Sequence, residues 1–167
     1  MSTSSLGARS NVGKSGLAMQ RSRGAGSAFL LVLLGIWGAI IPFVGPYFNY
    51  TFGVTAPWFF TYDRLWLNVL PGIAVLLGGL ILGPSANRGS AGTGAWLALI
   101  GGIWFTVGPV ISQLWRVGGL AAPIGPPVGG NVLQLLEELG YYFGLGAVVT
   151  ALAAFALGRM TVRSVHD

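Results

Sequence analysis

Of the 167 residues, 53% are hydrophobic and only 8% are charged, against about 25% charged in ordinary soluble domains. Mean hydropathy is +0.72. There are too few charges to coat a water-soluble surface and too much apolar material for disorder, so the composition points to an integral membrane protein.

The chain has no cysteine, and its single histidine is the penultimate residue, His166. Disulfides, cysteine-ligated metals, iron–sulfur clusters and bis-histidine haem are therefore excluded within the chain. No cofactor and no metal site is expected.

Residues 1–23 hold Arg9, Lys14, Arg21 and Arg23 among Ser, Gly and Asn. They lack apolar periodicity and read as a basic, flexible tail. Each basic residue near a membrane surface adds about 1 kcal/mol of attraction to anionic lipid. Residues 8–15 read A-R-S-N-V-G-K-S, a P-loop pattern with Ala in place of the first Gly. A P-loop needs a strand before it and a helix after it to hold its backbone N–H groups around phosphate. No apolar strand precedes this segment, so neither nucleotide nor nucleic acid is an expected partner.

Nothing is charged in residues 24–62. Its first part, 28–44, is nearly all apolar and spans a bilayer once its flanks are included. The alternative is a secretory signal peptide, but no small-x-small cleavage site follows. Its second part, 45–62, mixes Pro46, Asn49, Thr51, Gly53 and Pro57 with many aromatics and reads as a loop at the membrane surface. Asn49-Tyr50-Thr51 also matches a glycosylation sequon. The second span is 64–82, with Asp63 as its N-cap and Gly83-Pro84 as its stop. A polar loop at 84–93 contains Arg88. The third span, 94–115, ends at Arg116, and the Gly- and Pro-rich 117–130 reads as a second exposed loop. Asn131 with Gln134 fits a capping box for a fourth span beginning near Val132. Its apolar part, 139–157, precedes Gly158 and Arg159.

The expected fold is an all-α, four-helix membrane bundle. It comprises two hairpins, 24–83 and 94–158, a connecting loop at 84–93 and a tail at 159–167. With four spans both termini share a side. That side holds Arg9, Lys14, Arg21, Arg23, Arg88, Arg159 and Arg163, and the other holds Arg64 and Arg116. The positive-inside rule then puts both termini in the cytoplasm of a cell-membrane protein.

Sliding the chain by 67 residues reveals an internal repeat. Ala28 meets Ala95, Leu30 meets Leu97, Gly35-Ile36-Trp37 meets Gly102-Ile103-Trp104, and Pro42 meets Pro109. A duplicated hairpin follows as the simplest reading, with the copies related by a pseudo-twofold axis along the membrane normal. A Gly-Ile-Trp followed five residues later by Pro, twice in register, resembles the SPW-repeat family. The match runs over roughly 28–158, with other residues in place of the motif's Ser and final Trp. The resemblance implies a bacterial multi-pass membrane protein and brings no defined biochemistry with it.

The candidate site is a charge cluster on the outer face: Asp63, Arg64, Arg116, Glu137 and Glu138. Carboxylates near a helix N-terminus are favoured by its dipole, which gives these acids a structural role beside the functional one of an ion or substrate vestibule. Arg116 and one of the two glutamates are expected within ion-pair reach. Gly79 with Gly83, and Gly140 with Gly144, are small-xxx-small pairs that suit close helix packing or a homo-oligomer. Trp37 and Trp104 lie well inside their spans, as packing beside the prolines or as an aromatic wall for an apolar ligand. The leading expectation is a non-enzymatic structural or interaction protein. A small transporter or lipophile-binding module comes second and a membrane enzyme third.

Overall fold

The computed structural model describes residues 24–114 and 125–161. Four helical stretches are long and apolar enough to cross a membrane: Ala25–Phe48, Tyr62–Leu82, Arg88–Ser112 and Asn131–Thr161. The first is helix α1 (Ala25–Val44) extended by a 3-10 turn, Gly45–Phe48. The second joins a short α2 (Tyr62–Arg64), a π turn over Leu65–Val69 and α3 (Leu70–Leu82). The third is α4 (Arg88–Ser112), and the fourth is α5 (Asn131–Tyr141) followed by α6 (Phe143–Thr161). Helix α3 packs between α1 and α4, α4 packs between α3 and α6, and a thinner seam joins α1 to α6.

Small residues make up much of the buried helix surface, and many large apolar side chains face outward. On α1 the buried residues are Ala28, Leu31, Gly35, Gly38, Ile41 and Pro42, while Phe29, Leu33, Ile36 and Ile40 face outward. On α4 the buried set includes Gly94, Ala95, Ala98, Gly101 and Gly102. Lipid is as apolar as leucine, so large side chains gain little by turning inward. Small ones gain by letting backbones touch. A Cβ added to Gly72 would lie 2.6 Å from Ala39 N, and one on Gly146 would lie 2.9 Å from Thr106 N. These are backbone contacts that no side chain can yield to. Of the glycine pairs proposed from sequence, only Gly79 makes such an approach, against Ala28 O; Gly140 and Gly144 do not form a helix–helix notch.

Three helix starts differ from the sequence reading. Asp63 does not cap the second span: Thr61 is the N-cap, and no side chain caps that end. The third span begins at Arg88, well before 94, because the Asn87 side chain accepts from Gly89 N at 2.9 Å and supplies a cap. The Gly-rich run after it then continues the helix. Asn131 and Gln134 form no capping box. Gly130 is the N-cap, and Gln134 Nε2 donates to Gly129 O at 2.9 Å instead.

Two of the spans break their own hydrogen-bond ladder. In the π turn, Leu70 N donates to Leu65 O. The π register would next ask Pro71 to donate to Trp66 O, and proline has no N–H. Trp104 Nε1 donates to Trp66 O at 2.8 Å. The fourth span breaks at Tyr142, whose φ of -133° and ψ of -77° are not helical. Beside that break, Trp37 Nε1 donates to Gly140 O at 3.0 Å. Each tryptophan thus serves a carbonyl on the other half of the chain.

The glycine contacts give a direct test. Gly102→Val, whose new side chain meets Thr150 N and Val149, should lower stability by about 1–3 kcal/mol, the usual cost of overpacking. Gly92→Val, where a Cβ meets open space, should cost only about the ~1 kcal/mol or less of an exposed helix position. Thermal unfolding in detergent micelles compares the two.

Candidate functional site

Polar chemistry concentrates at the end of the bundle that carries the loops 49–61 and 125–130. Phe52 bridges to Pro127 in antiparallel fashion. Gly53 N donates to Pro126 O at 2.9 Å, and Val128 N donates to Thr51 O at 3.1 Å. The two loops therefore form one clasp over the bundle end.

Glu137, on α5, pins the clasp from beneath. It is 0% exposed. Its Oε1 accepts from Thr51 N at 3.1 Å and its Oε2 from Val128 N at 3.0 Å, one amide from each loop. Arg64 is 4% exposed. It donates to Phe59 O at 2.7 Å, to Val54 O at 2.6 Å and to Thr51 Oγ1 at 3.2 Å. The opposite charges meet on one residue, Glu137 at the amide of Thr51 and Arg64 at its hydroxyl. Buried ions are costly unless paired and hydrogen-bonded. Here each is surrounded by backbone dipoles of the sign it needs.

Tyrosines complete the layer. Tyr141 OH lies 2.7 Å from Tyr50 O and 3.2 Å from Ile41 O. Tyr142 OH donates to Asn68 Oδ1 at 2.9 Å, and Asn68 Nδ2 is buried without a partner. The Phe52 ring meets Tyr141 and Tyr142 edge-on, at centroid distances of 5.2 and 5.3 Å. Tyr50 OH donates to Leu136 O at 2.6 Å. Burial, with the Glu137 carboxylate nearby, pushes the Tyr50 phenol above its ordinary pKa, so it keeps its proton and remains a donor.

Of the five charges proposed from sequence, the structure brings Arg64 and Glu137 together through Thr51. Glu138 faces outward, while Asp63 lies close enough for its charge to act on Arg64 and Tyr142. Arg116 lies outside the described residues, as do the P-loop-like segment and the basic tail, so its pairing with Glu137 or Glu138 falls there too. Glu137 spends both oxygens on backbone amides. The residues missed from sequence are Thr51, Tyr50, Asn68, Tyr141 and Tyr142. Thr51 stands in the sequence as a surface-loop residue and part of a sequon, yet it is 0% exposed. Asn68, a polar residue inside an apolar span, was the one signal that could have been followed.

Chemically this layer is a clasp. The carboxylate and guanidinium oxygens and nitrogens face loop backbone, and neither is aimed into open space. Among the described residues no group of three or more His, Cys, Asp or Glu could hold a metal ion.

Beside the clasp, between the far end of α1 and α5, runs an apolar groove of about 630 Å³. Trp37, Ile41, Val44 and Phe48 form one wall, and Leu133, Leu136, Leu139 and Gly140 form the other. Trp37 therefore lines an apolar recess as well as bonding across the bundle.

Glu137→Gln should loosen the clasp, because an amide offers only one acceptor where two N–H groups converge. The expected cost is about 1–3 kcal/mol, that of a buried donor left unmet. Amide exchange at Thr51 and Val128 should quicken together. Glu138→Gln, on the exposed neighbour, should leave both amides protected.

No family model, no curated protein and no solved structure matches this chain.

Proposed function

We propose that the protein is a multi-pass protein of the bacterial cell membrane, structural or interaction-type and non-enzymatic, made of one hairpin duplicated in tandem. The observation that carries the duplication is the reciprocal pair of indole bonds. Trp37 reaches Gly140 O, and Trp104 reaches Trp66 O. The tryptophans are 67 residues apart and their acceptors 74. The same two offsets relate the close contact of Gly72 with Ala39 to that of Gly146 with Thr106. They also make Asn68 the counterpart of Tyr142, and Gly38 the counterpart of Phe105. Each of these pairs is in mutual contact, as residues beside a twofold axis must be. The seven-residue difference falls between the helices of the second hairpin. The resemblance to SPW-repeat proteins supports the same reading.

The non-enzymatic reading rests on how the polar groups are spent. The core is notched glycine against backbone, and the buried charges are consumed in the clasp. The apolar groove favours a second reading, a lipophile-binding module. Orientation rests on the distribution of Lys and Arg, with termini cytoplasmic and the clasp outside.

Two experiments test the proposal. Alkaline phosphatase fusions should be active after Gly125 and silent after Asn87 and Asp167; an active fusion at the C-terminus would overturn the topology. Residues 1–87 and 88–167, expressed as separate chains in one cell, should co-purify. Trp37→Phe and Trp104→Phe should each weaken that association by a similar amount, about 0.5–2 kcal/mol for a hydrogen bond within a bilayer. Halves that ignore one another, or a response to only one tryptophan, would refute the reciprocal interface.

A further inference from the structure

The geometry points to the groove between α1 and α5 as a binding site for one acyl chain of a membrane phospholipid. This deepens the lipophile-binding reading and rests on the chain being embedded in a bilayer.

The argument starts with length. From Trp37 to Phe48 the groove follows eleven helical steps, about 16 Å at 1.5 Å per residue. Half of the roughly 30 Å hydrocarbon core is about 15 Å. The α1 wall thus runs the depth of one leaflet, from mid-span to the loop end, and the α5 wall, from Leu133 to Gly140, faces about 10 Å of it at 1.5 Å per residue. A volume of about 630 Å³ sits within the roughly 300–1,000 Å³ of small-ligand sites.

The chemistry of the walls comes next. Only Trp37 and Tyr50 bring polar side-chain atoms to the groove, and both are already spent. Trp37 Nε1 is bonded to Gly140 O at 3.0 Å, and Tyr50 OH to Leu136 O at 2.6 Å. These bonds tie the two walls together near opposite ends and fix their separation. A cleft with no free polar side chain offers little to a headgroup or a polar solute, and it suits a hydrocarbon chain. Phe48 and Leu136 are strongly exposed at its rim, so its mouth opens sideways, where lipid chains are the surrounding medium. Its bonded walls set it apart from the general lipid contact of α4, where Ile100 is simply an outward-facing side chain.

Protein extracted from membranes in mild detergent should carry one phospholipid per chain in native mass spectrometry. Leu136→Trp fills the groove with an indole and should cut retention at least tenfold, and Leu139→Trp should act alike. Ile100→Trp should retain lipid as the wild type does. On delipidated wild-type protein, phospholipid with brominated acyl chains should quench part of the tryptophan emission, saturating at one lipid per chain. The proposal is overturned by a wild type that holds no lipid, by wild-type levels of retention in the groove variants, by a retained isoprenoid or second copy in place of phospholipid, or by quenching that does not saturate. Membrane fractionation reports on embedding separately, so a membrane-bound chain that holds no lipid refutes the groove alone.

Discussion

A carbonyl in hydrocarbon must find a donor within the protein, because no water is there to supply one. Both the second and the fourth membrane-length stretches violate the helical ladder, one through a π turn that runs into Pro71 and the other at Tyr142. An isolated hairpin containing such a break would expose an acceptor to lipid. The indoles of Trp104 and Trp37 supply the donors, each from the other half of the chain. The local irregularity is what makes the halves depend on each other, and the interdigitated glycines bring the backbones close enough for the indoles to reach.

Close approach, in turn, explains the composition. A chain with 28 glycines pays heavily in conformational entropy if it folds in water. In a bilayer a helix already has its backbone bonds, and what it lacks is a reason to associate. Van der Waals contact between backbones provides one. Many large apolar side chains, Phe29, Leu33, Ile100 and Phe155 among them, line the outside, a surface suited to lipid. Phe105 is among the large side chains that are fully buried, with its ring tip over Gly38, a large residue set into the space left by the smallest.

Spans and their number were legible in the sequence because uncharged length is a one-dimensional property. So were Arg64 and Glu137 as residues of note, because charge near a bilayer is rare. Their partners were not legible, since those are backbone groups of Thr51, Val54, Phe59 and Val128, which any residue could supply. Arg64 and Glu137 are each paired with peptide dipoles, an arrangement set by loop conformation. The start of α4 was placed late because a Gly- and Ser-rich stretch reads as loop, and the Asn87 cap outweighs that propensity. Trp37 and Trp104 stood out through the repeat, but their acceptors are created by helix breaks that leave no periodic trace.

Helix α5 links the clasp to the groove. It has eleven residues, too few to be stable alone, and its faces are divided between two tasks. Glu137 and Tyr141 turn toward the clasp and hold Thr51, Val128 and Tyr50. Leu133, Leu136 and Gly140 turn toward the groove. Tyr50 closes the loop between them, since its carbonyl accepts from Tyr141 while its hydroxyl donates to Leu136 O. The wall of the groove is therefore set by the same hydrogen bonds that hold the loops, and the width of the one cannot change without strain in the other. The buried carboxylate has a structural role in this arrangement. It ties a short helix to both loops, one backbone amide from each.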